Sequence, residues 1–392
     1  MVDPDMLSGV DPARRAGTMR LLWLACRRHP DPAEVSRALE LGVDPKLLAA
    51  AAVRHRIVGL LWRALGSAGA LDVLAGERSL LEQIVEIQRL RDVLLVPRAL
   101  ELAAGPLTRS GFEPLVLKGP AVAASYPAPG LRSFDDLDLV LPRRQHADAV
   151  EVLRRSGWSL VRKGARDHYD SLFVHESVPD MPLELHYELE AWYDRASSLR
   201  GQELWQRRQP AQLMGVPAHV LPRGDDVVML CAHAAKPYHG FSRLMWIADL
   251  AMVLGDAAEG GQRVDWQRVR ELTRQGRCST AVAAALSLAA LAGADSPADL
   301  RMLPRGGWRG EALRRLAEGE WVLRRTPPVH LRFALADSRR RRMMLLVGYT
   351  HPAPRFRGLE WRFRIMGPAV RRWRDLRGRG RGAGEPVGSA RA

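Results

Sequence analysis

An α+β fold is predicted, a mixed sheet with flanking helices set between N-terminal and C-terminal helical regions. Three observations predict it: helix punctuation through the first hundred residues, a change after Gly111 to short apolar strands separated by turns, and a return to helical periodicity from Asp225. With 392 residues, 47% of them hydrophobic and 26% charged, the chain can bury a core of two or three domain-sized units. Composition sets the boundaries: a helical region over 1–110, an α/β core over 111–222, a helical domain over 223–337, and an Arg-rich extension over 338–392, expected to be disordered from about 377.

The elements follow in order. Asp31-Pro32-Ala33-Glu34 supplies an N-cap, a first-turn proline and an acid, and Gly42 stops the run. Asp44-Pro45 repeats the start, and the next helix carries Leu47, Leu48, Val53, Ile57, Leu60, Leu61 and Leu65 on one face before Gly66. Ser79-Leu80-Leu81-Glu82 reads as a capping box opening a third helical segment to about Ala104, with a kink at Pro97. Residues 114–117 then read as a strand, 120–125 as a short helix of small residues, and 126–130 as a rigid turn. A strand over 137–141 and an amphipathic helix over 143–156, ended by Gly157, come next. Further strands are expected at 159–162, 169–174 and 182–189, and helices at 227–235, 243–254, 265–275 and 280–292.

The net charge of +15 resembles that of a nucleic-acid binder until it is located. Residues 301–392 hold 23 Arg, no Lys and 7 acids, a surplus of 16 positive charges, so the other 300 residues sum to −1. The basicity belongs to one end. The longest apolar run, 281–294, is too short to cross a bilayer, and the acidic, proline-containing start lacks the basic and apolar segments of a signal peptide. A cytoplasmic location is expected. Cys26, Cys231 and Cys278 are odd in number and widely spaced, which suggests neither a disulfide framework nor a cysteine zinc site.

The stretch 115–141, LVLKGPAVAASYPAPGLRSFDDLDLVL, is the most informative. Alternation along a strand puts Asp136 and Asp138 on one face, expected to be the solvent side, with Leu137 and Leu139 toward the core. Two carboxylates so close suit a hard divalent cation, Mg²⁺ or Mn²⁺. Leu183-Glu184-Leu185-His186 repeats the device, and Glu184 offers a third acid. Upstream, Lys118-Gly119 ends a strand just before a short helix, where glycine lets backbone N–H groups approach a phosphate. Lys118 and Arg132 are candidate phosphate contacts, the rival role of Arg132 being a salt bridge to Asp135 or Asp136. Asp135 has the opposite parity and suits a turn or cap. Three acids on adjacent strands beside a phosphate cradle describe metal-assisted nucleotidyl transfer from a nucleoside triphosphate.

The order strand, K-G, small-residue helix, Y-P-x-P-G-L-R, D-D-L-D-L, helix, G-W and later L-E-L-H resembles the uncharacterised bacterial nucleotidyltransferase family of the DNA polymerase beta superfamily. Leu230-Cys231-Ala232-His233, Met245-Trp246-Ile247-Ala248-Asp249-Leu250 and Val264-Asp265-Trp266 are similar to that family's helical portion, and the likeness covers roughly 47–294. It implies a polymerase-beta-type nucleotidyltransferase core, a divalent metal at Asp136 and Asp138, and Glu184 as the third carboxylate. The wider superfamily places G-S before its paired acids, whereas this chain has Lys118-Gly119-Pro120, and Gly119 lies 17 residues before Asp136.

Cys231 and His233 point about 200° apart on a helix, which disfavours zinc there. His233 and His239, with Tyr238 and Lys236, are alternatives for lining a nucleotide or acceptor pocket, while Trp246 and Asp249 read as core and cap residues. The expected activity is Mg²⁺-dependent transfer of a nucleoside monophosphate to a hydroxyl or phosphate of a small acceptor, favoured by the near-neutral first 300 residues. The alternatives are a binding protein of the same fold with impaired catalysis, and a transferase that holds RNA or DNA through its Arg-rich end.

Overall fold

Asp-Pro pairs begin the helical layer. The computed structural model describes residues 10–163, 169–189, 197–236, 239–323, 329–337 and 342, all within one compact unit. Of the Arg-rich extension only Arg342 is described, so the disorder expected from about 377 lies outside the described residues.

Asp11, Asp31 and Asp44 each precede a proline and accept backbone N–H groups of the first turn, starting α1 (Pro12–Ala25), α2 (Pro32–Glu40) and α3 (Pro45–His55). The single helix expected from Asp44 to Gly66 is broken. Arg56 closes α3 in the left-handed region at φ 59°, and α4 (Val58–Ser67) sets off anew, burying Ile57, Leu60 and Leu61 while Val53 turns to solvent.

The capping box at Ser79 is not used. A 3₁₀ segment over Leu71–Glu77 leads straight into α5 (Arg78–Leu90), whose start at Arg78 lacks a side-chain cap. A π-helical turn, Arg91–Leu95, then joins α5 to α6 (Val96–Arg109), so the bend expected at Pro97 is absorbed by one wide turn just before it. The sheet region comprises β1 (Leu115–Leu117), α7 (Gly119–Ala123), β2 (Leu137–Val140), α8 (Arg143–Arg155), β3 (Trp158–Arg162), β4 (Asp170–His175), β5 (Leu183–His186), α9 (Gly201–Gln206), β6 (Gln209–Leu213) and β7 (Val216–Val220). The helices α10 (Arg223–Ala234), α11 (Leu244–Ala258), α12 (Trp266–Gln275), α13 (Ser279–Leu291), α14 (Gly307–Ala317) and α15 (Val329–Ala334) follow.

Seven strands form one mixed sheet in the order β3-β4-β5-β2-β1-β7-β6. β2 lies antiparallel to β1 and parallel to β5, and β1 is parallel to β7. Strand alternation divides the core. Leu137, Leu139, Leu183 and Leu185 pack with Val96, Ala99 and Leu100 of α6 and Leu153 of α8, whereas Leu115, Leu117 and Val140 join a second core on the other face. That second core unites α1 to α5 with α10 to α15: Leu21, Leu48, Leu61, Val228, Ile247, Val282 and Leu335 all belong to it. His55 ties its halves together, its Nδ1 accepting from the Leu244 N–H and its Nε2–H donating to the Val322 carbonyl. Burial holds this imidazole uncharged, its pKa lowered to about 3.

Candidate active site

The site is assembled on the face of the sheet that carries the second core. In parallel register, Asp138 of β2 lies beside Glu184 of β5, and His186 follows Glu184 by two residues on the same face. One ligand atom from each of Asp138, Glu184 and His186 lies within 4.8 Å of the others, a set able to hold a metal ion. His186 Nε2 is 2.8 Å from Asp138 Oδ1 and 3.4 Å from Glu184 Oε2. Asp136 stands one residue before β2 begins and is half-buried.

The expectation that both aspartates face solvent is corrected for Asp138, which is only 2% exposed. Two cations make that burial tolerable. Lys118 Nζ reaches Asp138 Oδ2 at 2.8 Å, and His186 holds the other oxygen. Burial opposes the charge on Asp138, but Lys118 and His186 outweigh it and hold the carboxyl well below its usual range. Burial likewise opposes the charge on His186, yet its bonds to Asp138 and Glu184 push the pKa up to about 9. Asp136 behaves oppositely: burial, then the charges of Asp138 and Glu184, push it up to about 7. Carboxylates that repel one another in this way fit a divalent cation, whose charge would relieve the repulsion.

Lys118 and Gly119 make a tight corner between β1 and α7, with φ of 50° and 26°. The corner turns the Lys118 side chain toward Asp138 instead of leaving it pointing to solvent. A Cβ on Gly119 would meet only the Asp136 carbonyl, at 3.7 Å, so it is the backbone angle that calls for glycine there. Arg132 pairs with neither Asp135 nor Asp136. It is 4% exposed and bound to Asp249 of α11, while Asp135 takes Arg56 as its partner. Asp249, expected as a cap, is therefore an internal counter-ion, because a guanidinium enclosed by the fold needs a carboxylate.

The described residues bring Asp136, Asp138, Glu184 and Lys118 together, with Arg132 on the adjoining loop. Sequence reasoning put His186 on the right face but gave it no role, although the alternation in L-E-L-H already pointed to it. It also passed over Tyr169, whose ring stacks on His186 with centroids 5.5 Å apart. Cys231 is enclosed in the core and His233 lies on a different side of α10, as their spacing requires. Tyr238 lies outside the described residues. No helix among the described residues is long and apolar enough to cross a membrane.

In comparisons with known proteins, a family model described as uncharacterised nucleotidyltransferase matches residues 42–292, well over half of the chain. No curated protein and no solved structure matches.

Proposed function

The chain belongs to the uncharacterised nucleotidyltransferase family, and from that premise we propose a Mg²⁺-dependent enzyme that moves a nucleoside monophosphate from a nucleoside triphosphate to a small acceptor. The acceptor group is a hydroxyl or a phosphate, and the core is of the DNA polymerase beta type. One observation carries the reading: Asp138 and Glu184 are register partners on adjacent parallel strands, with Asp136 at the strand entrance and His186 touching both. Asp136, Asp138 and Glu184 would hold the metal. When bound, a divalent ion supplies charge neutralisation and alignment for the triphosphate.

The chain's own residues do the rest. β2 and β5 fix the spacing of Asp138 and Glu184 through the main chain, so the carboxylates are oriented before any ligand arrives. His186 keeps a proton between those two acids. Lys118 is on a long stem and can exchange the Asp138 oxygen for a phosphate oxygen, beside the backbone of Gly119. Glu184 is the acid assigned to help deprotonate the acceptor. A small acceptor is favoured because the first 300 residues sum to a charge of −1 and offer no broad basic track.

The Lys118 contact with Asp138 also favours a second reading, a nucleotide-binding protein of the same fold whose internal ammonium takes the place of a metal. Incubation with labelled nucleoside triphosphates, Mg²⁺ or Mn²⁺ and host lysate decides between the two. Transfer that is lost in Asp136→Ala supports the enzyme; nucleotide binding with no labelled product at any metal concentration supports the binding protein.

A further inference from the structure

Along one side of the rod made by α5, the π-turn and α6, apolar side chains face water. The backbone stays helical through the joins at Leu90, Arg91, Leu95 and Val96, so the three segments are continuous. The inner side of the rod is committed, with Leu81, Asp92, Val96, Ala99 and Leu100 all buried. The outer side carries Ile87, Leu90, Val93 and Leu94 within eight residues, each between 46% and 65% exposed. Among the described residues no other stretch of eight exposes more than two large apolar side chains. The solvent face of a helix is normally polar, so a contiguous apolar one marks a contact surface.

The outer side also has a regular order. Glu86, Leu90, Leu94 and Arg98 recur every four residues. On a regular α-helix such a row drifts by about 40° at each step. The π-turn over Arg91–Leu95 takes more residues per turn, which removes most of the drift where Leu90 and Leu94 stand. The row therefore reads acid, leucine, leucine, base over about 18 Å. Reversed, it is its own complement. A second copy laid antiparallel sets Glu86 against the partner's Arg98 and Leu90 against the partner's Leu94, and the two-fold axis repeats both contacts. A parallel pairing would instead oppose like charges at both ends. Glu86 already accepts from Arg89, and Arg98 donates to Glu101, with all four side chains about half exposed. Such a carboxylate can take a second guanidinium, as Glu311 does from Arg314 and Arg315. The charges of these two pairs cancel, which disfavours an anionic lipid surface, whose amphipathic helices carry a basic excess.

We propose that this face is the interface of a homodimer, in which the outer sides of α5 and the π-turn from two copies pack antiparallel about Leu90 and Leu94. Ile87 and Val93 flank the paired leucines, and Glu86 and Arg98 close the two ends. The inference is independent of the nucleotidyltransferase reading. It places the contact back to back with Asp92, which holds the Gly130 N–H of the loop leading to Arg132.

Analytical ultracentrifugation of the full chain over a concentration series tests it. A single helix pair lies at the small end of specific interfaces, so the parent is expected to pass from monomer to dimer at roughly 1–100 µM. Leu94→Glu should weaken the association by about tenfold or more while circular dichroism and the melting temperature stay as in the parent. The charges test the register. Glu86→Arg alone and Arg98→Glu alone should each weaken self-association, since each opposes like charges at both ends. An equimolar mixture of the two variants should recover a dimer, because every end then meets its opposite sign. A parent that stays monomeric across the series overturns the proposal; flotation of that monomer with anionic vesicles, lost in Leu94→Glu, would assign the face to a membrane surface instead. A dimer indifferent to Leu94→Glu lies on another surface and also overturns it. Charge variants that fail to recover on mixing overturn the antiparallel arrangement.

Discussion

Arg132 gives Asp249 two parallel hydrogen bonds, Nε to Oδ1 at 2.8 Å and Nη2 to Oδ2 at 2.9 Å, where both side chains are almost wholly enclosed. Tyr126 donates its hydroxyl to the same Oδ1 at 2.8 Å. The loop leading to the acids of β2 is thereby tied to the helix that carries Trp246. Asp249→Ala would leave a buried guanidinium uncompensated and is expected to cost about 3–5 kcal/mol, seen as a lower urea midpoint. Adding Arg132→Met should recover much of the loss. A single variant with the parent's midpoint would refute this account.

Asp136→Ala and Asp138→Ala should both abolish transfer but differ in stability. Asp138 compensates Lys118 and His186, so its removal is expected to cost about 2–4 kcal/mol. Asp136 is repelled by its neighbours, and its removal should leave the melting temperature unchanged or higher. Mg²⁺ with a nucleoside triphosphate should raise the melting temperature of the parent and of neither variant. Equal metal-dependent stabilisation in all three proteins would remove the aspartates from the metal site.

Asp92 sets a pH dependence away from the acids of the sheet. Its carboxylate accepts the Gly130 N–H at 2.7 Å, and burial pushes its pKa up from 3.8 to about 6 despite that bond and the charges of Arg132 and Arg91. The folded state therefore binds its proton more tightly than the unfolded chain does. The resulting stability is fully present below about 3.8 and is lost as pH rises to about 6, beyond which it changes no further. Asp92→Asn keeps an acceptor for Gly130 and removes the titration. Its stability relative to the parent should rise by about 1–2 kcal/mol between pH 4 and 6.5. A constant difference across that range would show that Asp92 does not titrate there.

The β6–β7 hairpin contains a removable strain. Met214 and Gly215 form its two-residue turn, with φ of 52° and 81°. Such turns favour Asn-Gly, because asparagine adopts the left-handed region more readily than methionine does. Met214→Asn is expected to stabilise by about 0.5–1 kcal/mol, read from the urea midpoint. A destabilised variant would mean that the methionine side chain contributes more by packing than its backbone loses.

Local rules made much of the fold legible. Asp-Pro starts mark α2 and α3, Gly157 stops α8, and the alternation in L-D-L-V and L-E-L-H sorts the acids from the core leucines. The same Asp-Pro signal at Asp11 was there to be read for α1. What escaped depends on distant partners. The break at Arg56 follows from the burial of α4, and nothing in Gln209–Leu213 marks an edge strand until Val216–Val220 folds back on it. Within the site, alternation placed Glu184 and His186 together, but no local pattern could reveal that Lys118 would turn onto Asp138 or that Arg132 would meet Asp249. Those pairs join separate elements, and the charges choose their partners only after packing has removed the water.

The core shared by both helical regions also sets a timetable. Trp23 of α1 meets Trp321 edge to face, with ring centroids 6.5 Å apart, and His55 is capped by the Val322 carbonyl. A ribosome releases Trp23 long before Trp321, so the emerging N-terminal helices hold an apolar surface whose covering has yet to be translated. Assembly must therefore finish after synthesis of the distant helices, and a nascent chain stalled before them would be a natural client for chaperones that shield unfinished hydrophobic faces.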